Sequence, residues 1–210
     1  MACAKSAVDF SVRPAVVLLD GKVLAMPNRY RIFNHDSFPY FVTCTIVGWL
    51  PIFQDQAYTR IVLDSLAYIQ AQKGVAINAF VLMPSHLHAI LWPEISVSLS
   101  NILRDFKRFT SKAISDLAWQ QNHHEFLQKF REARQNNRAQ DISQYQVWQE
   151  GSHPEIIYTE QFAKQKLDYI HKNPIRANLV EIAENWPYTS AGAYFSDQET
   201  YPPVELLVVK

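Results

Sequence analysis

The sequence predicts an α+β domain with an antiparallel sheet and helices on one face. Three observations predict it. Runs rich in aromatic and β-branched residues recur along the chain, amphipathic segments of helical period alternate with them, and the resulting order is β-α-β-β-α-(α)-β-α. With 210 residues, 48% of them hydrophobic and 19% charged, the chain has enough material for a proper core and lies far from the composition of disordered proteins. One domain, or a domain with an arm, is expected.

Each element has its own signal. Residues 38–48, FPYFVTCTIVG, suit a pleated, half-buried surface and are read as a strand. From 56 to 73 the apolar residues Ile61, Val62, Leu66 and Ile69 recur at helical spacing, and Gly74 follows as the C-terminal cap. VAINAFVLM (75–83) and HLHAILW (86–92) are two strands broken by Pro84 and Ser85, a hairpin or bulged turn. After Ser98 and Ser100 a helical stripe runs through Ile102, Leu103, Phe106, Phe109, Ile114 and Leu117, with a basic opposite face. Residues 121–141 are polar, and Phe126, Leu127 and Phe130 support a helix followed by a connector reaching about Ser143. VWQEGSHPEIIY (147–158) reads as a short strand or extended hairpin. Thr159 then caps a helix through EQFAKQKLDYIHK, which Pro174 is expected to terminate. Turns follow at Trp186-Pro187 and Pro202-Pro203.

Composition excludes several classes of protein. Two cysteines, Cys3 and Cys44, provide neither a disulfide framework nor a four-cysteine zinc site, and they fit a reducing cytoplasm. Near the N-terminus the longest apolar run, Ala15 to Leu19, stops at Asp20, too short for a signal-peptide core or a membrane span. A soluble cytoplasmic protein with no membrane partner is expected. Twenty basic residues balance twenty acidic ones, yet the charge is polarised. Between 101 and 138, Arg104, Lys107, Arg108, Lys112, Lys129, Arg131, Arg134 and Arg138 outnumber Asp105, Asp116, Glu125 and Glu132. Between 181 and 210, five acidic residues face Lys210 alone. The basic stretch is either a solvated helix face or a surface for nucleic acid.

Two groups of residues carry candidate chemistry. His86 and His88 are one residue apart on a strand, so both imidazoles leave the same face while Leu87 points to the core. That spacing can pinch one metal ion, although two imidazoles alone leave a site under-ligated, and two ordinary core or surface histidines are the alternative. In LDYIHKN, Tyr169 and Asn173 are four apart and share a helix face. If that face sits above the histidine pair, Asn173 can complete a metal set with the Tyr169 hydroxyl beside it, a layout suited to phosphoryl transfer. The structural alternative is an amphipathic tyrosine and a helix-ending Asn-Pro.

Four segments in order, FVLMPSHLHAILW, FKRFTSKAI, VWQEGSHPEIIY and LDYIHKNPIRANLVEIAENWPYTSAGAYF, resemble the REP-associated tyrosine transposases, the domesticated branch of the single-strand transposases with one catalytic tyrosine. The resemblance spans about Tyr30 to Phe195 and implies one transposase-like domain over 1–210, with an N-terminal arm (1–29) and an acidic C-terminal tail. It implies the ferredoxin-like sheet of the HUH nucleases, with Tyr169 as nucleophile and His86, His88 and Asn173 as ligands of Mg²⁺ or Mn²⁺. The implied reaction is cleavage of single-stranded or hairpin DNA through a 5′-phosphotyrosine intermediate, with no nucleotide cofactor. Insertion-sequence relatives often use Gln where Asn173 stands. The resemblance also places the helix bearing Arg104, Lys107, Arg108 and Lys112 against the site, and these residues, with Lys172 and Arg176, are the DNA-binding candidates. Trp148, Trp186 and Tyr188 are candidates for base stacking, with core or turn anchoring as the alternative. His153 is a candidate for support of the metal ligands, whereas His171 is expected to be exposed and off the Tyr169 face. Cys44 is expected to be buried. A hairpin-binding protein of mobile-element origin that does not cut is the rival reading, and monomer or homodimer is left open.

Overall fold

The computed structural model describes residues 38–135, 144–152 and 154–207 with their side chains, together with the backbone of three short strands before residue 32. In chain order the elements are β1 (Val16–Leu19), β2 (Lys22–Ala25), β3 (Tyr30–Arg31), β4 (Tyr40–Thr45), α1 (Gln56–Gln72), β5 (Val75–Met83), β6 (His86–Pro93), α2 (Leu99–Gln120), α3 (His124–Gln135), β7 (Glu155–Ile156), α4 (Glu160–Arg176), α5 (Ala191–Phe195) and β8 (Leu206–Leu207). β1 pairs with β2, and β3 with β8.

The central sheet has the order β5-β6-β4-β7, with every neighbouring pair antiparallel. Its strands are the first to fourth of a β-α-β-β-α-β unit, so the spatial order 2-3-1-4 is the ferredoxin-like arrangement that the resemblance implied. The strand expected over 147–158 shrinks to Glu155–Ile156 plus one isolated bridge from Trp148 to Ile46.

Pleat alternation divides the core into two layers. Val42, Cys44, Phe80, Leu82, Leu87, Ala89 and Leu91 pack beneath α1 and α2 through Val62, Leu66, Leu103, Phe106 and Ile114. On the opposite face Phe41, Val81, Ile90 and Trp92 pack under Ala163, Leu167 and Ile170 of α4. Helices therefore cover both faces; the single-face expectation holds for α1 and α2 but not for α4. The reason is visible in β5, which is buried at all nine positions and so needs cover on both sides. Each fully buried aliphatic side chain in these layers contributes about 1.5–3 kcal/mol.

Caps fix the helix starts. Asp55 accepts from Ala57 N at 2.8 Å, Ser98 from Asn101 N at 3.4 Å and Thr159 from Phe162 N at 3.1 Å. Gly74 follows α1 with φ +63°, and a Cβ there would lie 2.9 Å from Glu94 Oε2, so the residue is glycine for both conformation and space. Pro174 does not end α4: the helix runs to Arg176, and the amide of Ala177 still donates to Asn173 O at 3.0 Å. In the last turn proline forfeits only one helical hydrogen bond, a loss that the buried ring offsets by packing. Asn173 consequently sits inside a regular helix.

His171 is buried, contrary to expectation, with 2% of its surface exposed. Its Nε2 lies 2.9 Å from Ser190 Oγ, which in turn accepts from Phe80 N at 2.9 Å, so the ring pins α4 to β5. Burial pushes its pKa down to about 4. Cys44 is buried in β4 as expected, and burial raises its thiol to about 11.

Candidate active site

β6 opens with the histidine pair because the two-residue Pro84-Ser85 turn brings the chain straight back from β5. In register, Thr43 of β4 faces His88 and Thr45 faces His86. Thr43 Oγ1 lies 2.8 Å from His88 Nδ1, and Ser85 Oγ lies 3.2 Å from His86 Nδ1. When each Nδ1–H donates to its hydroxyl, the lone pair is left on Nε2, the tautomer a metal ligand requires. Among the described residues no hydrogen bond engages either Nε2. The rings are 4.8 Å apart between centroids. Burial, then the neighbouring His86 and Lys166, push His88 down to about 3, and burial lowers His86 as well, so both are neutral bases.

α4 lays its polar face over this pair. The Tyr169 ring stands edge-on to His88 at 5.1 Å, and Phe41 packs against both, 5.4 Å from His88 and 5.9 Å from Tyr169. Tyr169 is 39% exposed, and its hydroxyl has no hydrogen-bond partner among the described residues. One turn on, the half-buried Asn173 lines the same cleft of about 680 Å³ as His86, His88 and Tyr169. The carboxamide of Asn173 likewise has no partner among the described residues. Among those residues, no three His, Cys, Asp or Glu side chains group to hold a metal. An amide oxygen joining two imidazoles fits a divalent ion that keeps positions for substrate oxygen and water, and the Nε2 atoms and carboxamide, unengaged among the described residues, are compatible with that donor set.

The cleft also holds residues that the sequence reading missed. Lys166, three before Tyr169, has a side chain only 16% exposed, with its ammonium 2.8 and 3.0 Å from the Glu155 carboxylate and 4.1 Å from the Phe41 ring centroid. Gln165 lines the same wall. Positions 165, 166, 169 and 173 form one helix stripe, and extending the Tyr169–Asn173 wheel backwards by one turn finds them. Trp49 also lines the cleft, beside His86.

The DNA-binding candidates divide. The Arg176 guanidinium lies 5.3 Å from the Tyr169 ring centroid, and Lys172 is paired with Asp168 at 2.9 Å at the exposed side of the same helix. Arg104, Lys107, Arg108 and Lys112 do not line the cleft, because α2 packs against the other sheet face. Arg104 and Lys112 pair with Asp105 and Asp116 at 3.0 and 2.6 Å. Lys107 is turned inward, donating to Gln149 O at 3.1 Å and to Gly151 O, and burial lowers its pKa. Of the stacking candidates, Trp148 is buried with its indole N–H on Thr110 Oγ1 at 2.8 Å, Trp186 donates to Leu82 O at 2.9 Å, and Tyr188 packs against the core, so these are anchors. His153 and Arg138 lie outside the described residues.

A ferredoxin-like sheet carrying paired histidines under a helix-borne tyrosine defines an α+β domain with a candidate phosphoryl-transfer cleft. No family model matches the chain. It is 25% identical over 117 residues to a Haemophilus influenzae (strain KW20/Rd) protein provisionally named a REP-associated tyrosine transposase. That match covers 53% of this chain and 56% of the relative, so the chain spans about half the length of the curated relative it matches. A solved structure of a REP-associated tyrosine transposase bound to a REP hairpin superposes with a TM-score of 0.55 at 18% identity, covering 77% of this chain and 81% of that one. The likeness to the REP-associated tyrosine transposases is thus present in sequence and in fold.

Proposed function

We propose that the chain is a metal-dependent, single-stranded DNA endonuclease and strand transferase that acts on repeat hairpins through a 5′-phosphotyrosine intermediate. One observation carries the reading: Tyr169, its hydroxyl without a hydrogen-bond partner among the described residues, packs edge-on against His88 in the cleft shared by His86 and Asn173. The name of the curated relative and the hairpin bound in the solved homologous fold support the choice of DNA hairpins as substrate.

In this reading the Tyr169 oxygen gives up its proton to solvent and forms a bond to the phosphorus of a DNA phosphodiester. The bond from phosphorus to the 3′ oxygen breaks, and that oxygen leaves as a 3′-hydroxyl after taking up a proton. The 5′ phosphate remains on Tyr169, and attack by a 3′-hydroxyl reverses the step and rejoins strands. Bond energy stays in the covalent link, so no nucleotide cofactor is needed. Arg176, held over the tyrosine ring, lowers the cost of charge on the phenolate oxygen and on the phosphate. Lys166 lines the same cleft and offers a second cation to a phosphate oxygen. His86, His88 and Asn173 would hold Mg²⁺ or Mn²⁺, which supplies polarisation of a phosphodiester oxygen. Thr43 and Ser85 orient the imidazoles for that purpose.

The test is nicking of end-labelled single strands carrying repeat hairpins in the presence of Mn²⁺. The wild type is expected to nick, and Tyr169→Phe and His88→Ala are expected to shift the hairpin on a native gel without nicking it. Nicking that persists in Tyr169→Phe overturns the reading, and a hairpin shift with no nick in the wild type replaces it with a non-cleaving hairpin binder.

A further inference from the structure

The turn after β4 carries an exposed aromatic residue that the proposed chemistry does not use. Gly48 and Trp49 follow one another with φ of 63° and 55°. Glycine adopts that region freely, whereas for a bulky aromatic it is an outlier that persists only where the surroundings enforce it. Here they do. Trp49 N donates to Ile46 O at 3.0 Å within the turn, Ile46 N donates to Ser85 O at 2.9 Å and Val47 N to Val147 O at 2.9 Å, which ties the turn both to the hairpin that presents His86 and to the segment that leads to β7. The consequence is an indole held out from the fold. Trp49 is 60% exposed, its ring stands at 74° to His86 with centroids 5.4 Å apart, and it lines the cleft that contains Tyr169. Trp92, Trp148 and Trp186 are instead packed into or hydrogen-bonded to the sheet layers, and the exposed Trp119 lies on α2, away from the cleft.

A rigid, flat, apolar surface kept in water beside a phosphoryl-transfer centre suits a planar aromatic ligand. We infer that Trp49 is a stacking platform for an unpaired nucleobase adjacent to the phosphate presented to Tyr169. This inference rests on the proposed reaction with single-stranded DNA. Stacking uses the π-face that every base possesses, so Trp49 would hold the strand in register without choosing its sequence, while cations act on the phosphates. It would also keep the flanking nucleotide unstacked from its neighbours, leaving the phosphate accessible in the cleft. Nothing in the composition marked this residue, because its meaning depends on a strained turn and on His86 being its neighbour.

The test measures coupling between protein and DNA on a Tyr169→Phe background that binds but does not cut. A fluorescent single strand from the substrate is scanned with one abasic site at a time, and affinity is read by anisotropy. One position is expected to weaken binding by roughly 5- to 150-fold, the range for loss of one base–aromatic stack. Trp49→Ala is expected to weaken the intact strand by a similar factor and to become indifferent to the abasic site at that position, while Trp49→Phe keeps most of the affinity. The inference is overturned if Trp49→Ala binds the intact strand like its parent, or if the two losses multiply at every position. Failure of the parent to bind any single strand is a different result, and it overturns the proposed function together with the inference.

Discussion

Replacing Thr43 with Val removes one oxygen and almost no volume, and its effect follows from a single hydrogen bond. His88 is 5% exposed, and Thr43 Oγ1 is the partner of its Nδ1 at 2.8 Å. Thr43→Val leaves that ring nitrogen unsatisfied in a nearly closed environment, which costs about 1–3 kcal/mol. For a chain of this size each kcal/mol lowers Tm by about 2–4 °C. The same bond sets which nitrogen of His88 carries the proton and how the ring is aimed. Loss of such a partner typically weakens metal affinity by about 10- to 100-fold. Thr43→Ser, which keeps the hydroxyl, should recover most of the affinity. Free Mn²⁺ followed by electron paramagnetic resonance during titration reads the affinity, and melting with and without Mn²⁺ reads the stability. The reasoning is refuted if Thr43→Val binds Mn²⁺ as tightly as the wild type, or if Thr43→Ser is as impaired as Thr43→Val.

Other expectations follow from neighbouring features. Because His171 titrates at about 4 in the fold against an ordinary 6.5, the unfolded chain binds the extra proton first as pH falls. Its contribution is therefore fully present above about pH 6.5 and is lost towards pH 4, by roughly 3 kcal/mol in all. His171→Gln should flatten the fall of Tm over that window, and parallel curves for variant and wild type would count against it. Lys166→Met, at the cleft, should reduce the slope of log affinity for single-stranded DNA against log salt by about one, while Arg108→Ala on α2 leaves it unchanged. The opposite pattern would place the strand on the other face of the sheet. Lys107→Met should lower Tm through loss of the bonds to Gln149 O and Gly151 O, without altering hairpin affinity in a gel-shift assay.

Much of this was legible in the sequence because local chemistry and tertiary need agree there. VAINAFVLM and HLHAILW are short apolar runs bounded by turn residues and read as strands, and the Pro84-Ser85 break, read as a hairpin or bulged turn, is a two-residue reversal in the fold. The face shared by His86 and His88, and the turn shared by Tyr169 and Asn173, follow from periodicities of two and 3.6. What was not legible depended on how elements pack against each other. His171 carries a polar side chain at a core position, and Ser190, nineteen residues later, supplies the hydrogen bond that makes it tolerable. Pro174 reads as a stop, yet its place in the last turn lets α4 continue to Arg176. Lys107 shares a stripe with Arg104 and Arg108 but is claimed by the carbonyls of a loop more than forty residues away. The side of the sheet that α2 covers cannot be read from its own amphipathicity, since an apolar stripe specifies burial but not against which face.

The central claim is that Tyr169 is the residue joined to DNA. Trypsin releases it in the peptide Leu167–Lys172, between Lys166 and Lys172. Wild-type protein incubated with Mn²⁺ and a single strand bearing a repeat hairpin, trapped by denaturation, digested with nuclease and trypsin and read by mass spectrometry, is predicted to carry a 5′-phosphonucleotide on that peptide at Tyr169. An adduct on another residue, or strand cleavage with the peptide unmodified, would contradict the account.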